Sequence, residues 1–128
     1  MELGKLKKGQ IYYAKLPIYR NGHNVVKPVL VIQNDKLNEK IDEVLIIPIN
    51  KRINKNISKE MIIELDDFKK IIPNSIFLLN KLMSIKKKNI NGFITELDKK
   101  SIKLIDKKLR KILNLWNIKK CIAYSLNV

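Results

Sequence analysis

The sequence predicts a mostly β fold of the α+β class, a small, strongly curved antiparallel barrel followed by one C-terminal helix. Three observations carry this. Six short apolar runs rich in β-branched residues are separated by segments of Asn, Lys and Asp, which is how short strands joined by turns read. One run, Val29-Leu30-Val31-Ile32, shows no polar alternation, as expected of a strand covered on both faces. The last third changes to helical spacing, with Ile102, Ile105, Leu109, Ile112, Leu113 and Trp116 on one stripe.

The first strand is expected over Ile11 to Leu16, and the polar stretch from Pro17 to Val26 as a long loop. Lys27-Pro28 then opens the second strand, Val29 to Asn34. Proline fits the first residue of a strand, where no ladder donor is required, and biases the residue before it toward extended backbone. Lys27 is thereby held at the strand's mouth, a cation on a stiff mount, and Asn34-Asp35 ends the run. Strands over Val44 to Ile49, Met61 to Leu65, Ser75 to Asn80 and Leu82 to Ile85 follow. A second long loop, Lys51 to Lys59, leaves the third strand. Both loops are basic, and loops on a rigid barrel commonly carry binding functions. Asp98 is the expected N-cap of the helix. Its apolar stripe should pack on the barrel while Lys103, Lys107, Arg110 and Lys111 face water. Residues 118 to 128 fit a helix extension, an edge strand or a dimer contact equally well.

Composition narrows the functions. A chain of 128 residues with 45% hydrophobic content fits one domain, residues 1–128, with a single core. No apolar run approaches the ~20 residues of a membrane span, and Met1-Glu2-Leu3-Gly4-Lys5 has no apolar signal core, so a cytoplasmic protein is expected. Cys121 is the sole cysteine and reads as a packing thiol. The formal net charge is +15, most of it from Lys81 onward. Such an excess favours polyanions through counterion release, nucleic acid first, although an acidic protein would use the same field.

Chemistry is bounded by what is missing. His23 is the sole histidine, and no compact Asp/Glu/His set offers metal ligands, so neither metal nor cofactor is expected. There is no Gly-x-Ser-x-Gly elbow and no phosphate-cradling glycine loop. Metal-free RNA cleavage remains: the ribose 2′-OH attacks the adjacent phosphate, and the protein supplies alignment, proton transfer and cations.

Several segments, taken in order, carry a family resemblance. They are Gly9-Gln10-Ile11-Tyr12, Lys27-Pro28-Val29-Leu30-Val31-Ile32-Gln33-Asn34-Asp35, Ile47-Pro48-Ile49-Asn50, Asn74-Ser75-Ile76-Phe77-Leu78-Leu79 and Ser84-Ile85-Lys86-Lys87. The series resembles the MazF/PemK (Kid) family of toxin endoribonucleases, with its G-D-I-Y, R-P-V-L-V-I-Q-N-D, A-P-I-T, D-S-V-I-L-L and R-T-I-D-K. The resemblance implies the SH3-like barrel of MazF and CcdB, a homodimer, single-stranded RNA as substrate and a cognate, acidic antitoxin as partner. It ties cleavage to the arginine before V-L-V and to the threonine ending A-P-I-T, positions held here by Lys27 and Asn50. Lysine keeps the charge but not the bidentate fork. Asparagine keeps a donor but no hydroxyl. Gln10 and Asn74 also replace family acids.

The first reading is an endoribonuclease with a modified catalytic set of Lys27, Asn50 and His23, the imidazole supplying acid-base capacity near pH ~6.5. RNA would be gripped by Lys51, Arg52, Lys55, Lys81 and Ser84, in a groove between the two long loops. The tail residues Ile122, Ala123, Tyr124 and Leu126 would help cover a dimer contact. Two other readings use the same barrel: a nucleic-acid binder without cleavage, or a protein-binding module as in the CcdB toxins.

Overall fold

The computed structural model describes residues 5–20, 23–52 and 57–115. β1 (Gln10–Arg20) and β2 (His23–Val31) form a long hairpin, and α1 (Asp35–Lys40) leads into β3 (Glu43–Lys51). There follow β4 (Ile62–Ile63), α2 (Asp66–Lys69), β5 (Ser75–Leu78), β6 (Met83–Lys86), β7 (Ile90–Glu96) and α3 (Lys99–Ile112). All pairings are antiparallel, in the order β4-β5-β3-β2-β1-β7 with β6 also on β3. The mostly β fold with a helix after the last strand is the one the sequence predicts. The barrel is open: among the described residues no pairing joins β4 to β7.

β3 is the spine of this sheet. One of its edges pairs with β6 through Glu43–Ile46 and with β5 through Ile49–Lys51. Pro48 falls in the gap between the two partners, where a missing N–H breaks no ladder. Opposite that gap the chain bends through a single helical turn, Leu79–Lys81. The other edge pairs with β2 over Val29–Val31.

Alternate residues of the spine and its neighbours feed two apolar layers. Tyr12, Ala14, Leu16, Val29, Val31, Val44, Ile46, Ile85 and Ile90 build one. Ile11, Leu30, Ile47, Ile49, Ile63, Phe68, Phe77 and Leu79 build the other, which α3 covers with Ile105 and Leu109. The unbroken run Val29-Leu30-Val31 is therefore buried on both faces, as its lack of alternation required.

Several boundaries differ from the expectation, each for a physical reason. The stretch from Pro17 to Val26 is mostly strand, not loop: Leu16 pairs with Val25 and Arg20 with His23. Pro17 sits in the register break between Leu16 and Tyr19, a bulge that tolerates a residue without N–H. β7 was hidden behind Asn91-Gly92, which reads as a turn, yet it pairs along β1 from Gln10–Glu96 to Ala14–Ile90. β2 ends at Val31 rather than Asn34 because the Gln33 side chain takes over the ladder, accepting from Leu45 N–H at 3.3 Å and donating to Glu43 O at 3.0 Å. Buried Asn38 completes that network by donating to Gln33 O at 2.9 Å, so its polar groups are satisfied. Asn34 caps α1, accepting from Leu37 N–H at 2.9 Å. The strand expected over Met61 to Leu65 contracts to Ile62–Ile63, because Ser58 caps a helical turn that absorbs Met61.

The C-terminal helix follows its sequence cues. Asp98 accepts from Ser101 N–H at 2.8 Å, and hydrogen bonding from the Ser101 side chain first, then from this N–H, holds its carboxyl below the usual range. Ile105 and Leu109 are buried and Ile102 and Ile112 half-buried, whereas Leu113 is exposed at the helix end. Trp116, Cys121 and the apolar tail lie outside the described residues.

Gly9 fastens this helix to the sheet. Its N–H donates to Val31 O at 2.8 Å and its O accepts from Leu97 N–H at 2.9 Å, with φ at +96°. A Cβ there would stand 2.4 Å from Ile102 Cδ1. Gly9→Ala combines left-handed backbone strain with overpacking, so a destabilisation of about 2–4 kcal/mol is expected. Denaturant unfolding measures it, and a change below about 0.5 kcal/mol would mean the junction relaxes freely.

Candidate active site

The site begins with the end of a ladder. Ile32 N–H donates to Leu45 O on β3 at 3.1 Å. Alternate residues of an antiparallel strand present their backbone groups to the same edge, so Leu30 and Pro28 face β3 as well. Pro28 has no N–H to give, and the β2–β3 ladder stops at Val29–Pro48. Lys27 lies two residues past the stop, still held by β1 through its pairing with Ala14.

Asn50 comes to the same place from the other strand. Continuing the Val29–Pro48 register by two residues sets Asn50 directly opposite Lys27, on the same face. Its own strand is held by β5, where Asn50 pairs with Ile76. The two half-buried side chains meet: Lys27 Nζ donates to Asn50 Oδ1 at 2.5 Å. That contact orients the amide, leaving Nδ2 as its donor end. An ammonium and an amide donor thus converge where two strands separate, an arrangement suited to a phosphodiester's non-bridging oxygens.

The remaining candidates are spread more widely. Lys51 is exposed at the end of β3 and pairs with Ser75 of β5, whose buried hydroxyl has no hydrogen-bond partner among the described residues. Arg52 donates to Glu64 at 3.0 Å, and Lys69 approaches the same carboxylate oxygen at 3.4 Å. Arg52 first, then Lys69, pulls the Glu64 carboxyl below its ordinary range. Lys81 is exposed on the turn opposite Pro48. His23 is exposed at the hairpin end, four residues up β2 from Lys27, or about 13 Å at the rise of a strand. Ser84 pairs with Leu45 and donates to Glu43 at 3.2 Å, about 16 Å along β3 from Asn50. Lys55 lies outside the described residues. The structure therefore brings Lys27 and Asn50 together with Lys51 beside them, and sets His23 and Ser84 apart.

Residues 7–113 match the model of the PemK-like, MazF-like toxin of type II toxin–antitoxin systems. The chain belongs to this family. It is 28% identical over 116 residues to the endoribonuclease MazF of Staphylococcus saprophyticus, covering 89% of this chain and 96% of that one. In fold it is similar to the MazE–MazF crystal structure from Deinococcus radiodurans, with a TM-score of 0.70 at 12% identity over 88% of this chain and all of that one. A mycobacterial endoribonuclease in complex with its cognate antitoxin superposes with a TM-score of 0.65 at 16% identity, covering 90% of this chain and all of that one.

In this MazF-like chain, Lys27 and Asn50, two of the positions that differ from the pattern quoted above, touch through their side chains. Sequence reasoning named both without their contact. It missed Glu64, which anchors Arg52 and Lys69. No local pattern pointed there, because Arg52 and Glu64 directly follow β3 and β4, and β5 lies between those two strands.

Proposed function

We propose that the chain is a metal-independent endoribonuclease toxin that cleaves single-stranded RNA at the Lys27–Asn50 pair. The observation that carries this is the direct Lys27–Asn50 contact at the family's cleavage positions. The substrate's 2′-OH attacks the adjacent phosphorus and the P–O5′ bond breaks, leaving a 2′,3′-cyclic phosphate and a 5′-hydroxyl. Lys27 stabilises the growing charge on the phosphate and delivers a proton to the departing 5′ oxygen. Asn50 donates through Nδ2 to a non-bridging oxygen. The 2′-OH proton passes to solvent, since the ~13 Å strand separation puts His23 of the same subunit beyond hydrogen-bond reach. His23, Lys51, Arg52, Lys55, Lys81 and Ser84 then serve, if at all, as RNA contacts.

The protein acts in the cytoplasm as a homodimer held in check by an acidic antitoxin. The antitoxin-bound mycobacterial and Deinococcus structures support that partner, and the +15 charge suits it. Cleavage of a single-stranded RNA in excess chelator, lost when the 2′-OH at the cut position is replaced by hydrogen, is the expected result. Cutting that persists without the 2′-OH would demand a water nucleophile and overturn the mechanism. Binding without any cleavage would leave a nucleic-acid binder.

The contact also bears on the two departures. Lysine and asparagine each reach the other, so exchanging one alone breaks the pair. Lys27→Arg or Asn50→Thr singly should lower cleavage, whereas the double variant, regaining fork and hydroxyl, should exceed wild type. Initial rates for the four proteins form a cycle whose coupling should be about 0.5–3 kcal/mol. Additive effects would mean the two side chains act independently.

A further inference from the structure

The outer face of α3 is cationic without interruption. Lys99, Lys100, Lys103, Lys107, Arg110 and Lys111 are all exposed and project from the side opposite buried Ile105 and Leu109. Lys99, Lys103, Lys107 and Lys111 repeat every fourth residue, forming a row with a rise of about 6 Å per step and about 18 Å in length. Among the described residues none of the six has an ion pair. The acid on this helix, Asp106, is held at 2.8 Å by Lys8 on its other flank. Glu64, Asp66, Asp67 and Asp98 share a groove of about 640 Å³ with Lys100, Lys103 and Lys107 along one flank of the face, without an ion pair to them, and Glu64 already holds Arg52 and Lys69.

Helix stability does not account for this placement. Like charges four residues apart repel. Lys99 and Lys100 occupy the first turn, where the helix dipole favours acids and this helix has none. A face that spends stability in this way points to a ligand.

We propose that the α3 face is a second nucleic-acid site, which binds the phosphate backbone of double-helical RNA. It rests on the reading of the chain as an RNA-cleaving toxin. The face lies over the apolar layer that α3 covers, whereas Lys27 and Asn50 share the alternation of the other layer, with Val29, Val31, Val44 and Ile46. It has no aromatic side chain, so it offers no platform for unstacked bases, which single-strand readers use. A straight cationic row instead matches a stiff duplex of high charge density, read by shape and phosphates. Folded segments of an RNA would dock on α3 while an unpaired segment reaches the cleavage pair.

The test uses a 16-base-pair RNA duplex, 2′-O-methylated against cleavage, and fluorescence anisotropy over a salt series. Replacing Lys103, Lys107, Arg110 and Lys111 by Gln should weaken duplex binding by at least about 30-fold at 0.1 M salt. The log–log salt slope should become shallower by about 3 to 4, near 0.9 for each phosphate no longer neutralised. Cleavage of a short unstructured RNA should be unchanged, whereas Lys27→Ala should lower cleavage by about 10²–10³-fold and leave duplex binding intact. The two readings thus fail separately. Should the quadruple variant unfold, the pair Lys103→Glu and Lys107→Glu, at exposed positions, carries the same expectation. Unchanged duplex affinity and slope in a folded variant would overturn the site. Binding of polyglutamate to wild type as tightly as the duplex would also overturn it, assigning the face to an acidic protein.

Discussion

Lys27→Ala should lower the rate of single-stranded RNA cleavage by about 10²–10³-fold, equivalent to roughly 3–4 kcal/mol of transition-state stabilisation. The reason is local. Lys27 supplies the cation at the ladder's end, and its removal also takes away the group that orients Asn50. Affinity for RNA should fall far less, since the other cations still neutralise their phosphates. The fold should hold, because β2 is secured at that point by the β1 pairing of Ala14 with Lys27 through backbone groups. Initial rates on a fluorogenic RNA, with thermal unfolding as control, measure this. A loss of less than threefold in a folded variant would remove Lys27 from the chemistry and the Lys27–Asn50 pair from the mechanism.

Phe77→Ala should destabilise the protein by about 3–5 kcal/mol, the range for emptying a fully buried aromatic position. Phe77 is completely buried and pairs with Ile49 on one side and Ile63 on the other. Its ring stands edge-on to Phe68 with centroids 5.2 Å apart. One side chain therefore joins β3, β4, β5 and α2. Against a typical domain stability of about 5–15 kcal/mol, such a loss leaves a marginal protein. Urea unfolding gives the value, and a loss below about 1 kcal/mol would show that the surrounding layer collapses into the space.

Most of the fold was legible because burial and sequence pattern coincide in it. Val29-Leu30-Val31 had to be covered on both faces, Asp98 had to cap a helix, and Ile105 and Leu109 had to face the sheet. What was not legible depended on partners distant in sequence. The stretch from Pro17 to Val26 looks polar because Pro17, His23, Asn24 and Val26 are exposed, and only the register between β1 and β2 makes it strand. β7 carries Asn91-Gly92 without needing a turn there: a Cβ at Gly92 would meet nothing within 4 Å. The motif Gln33-Asn34-Asp35 marked the family, yet these side chains serve the fold, with Asp35 accepting from Lys8 N–H at 2.8 Å. In the site, residue types were readable and the Lys27–Asn50 contact was not, because it depends on where the β2–β3 ladder stops.

The exchange of partners along β3 at Pro48 puts the two halves of the site on different strand pairings. Lys27 rides on the long hairpin, which shares the central pairing with β3. Asn50 is aligned by β5, whose outer neighbour β4 has two residues, so this edge is the natural place for sub-global opening. Fraying of the β4–β5 edge would then separate the Lys27–Asn50 pair at a free energy below that of complete unfolding. Ile62 and Leu78 are both buried at that edge, so truncating either would loosen the Asn50 side of the pair before the rest of the molecule melts.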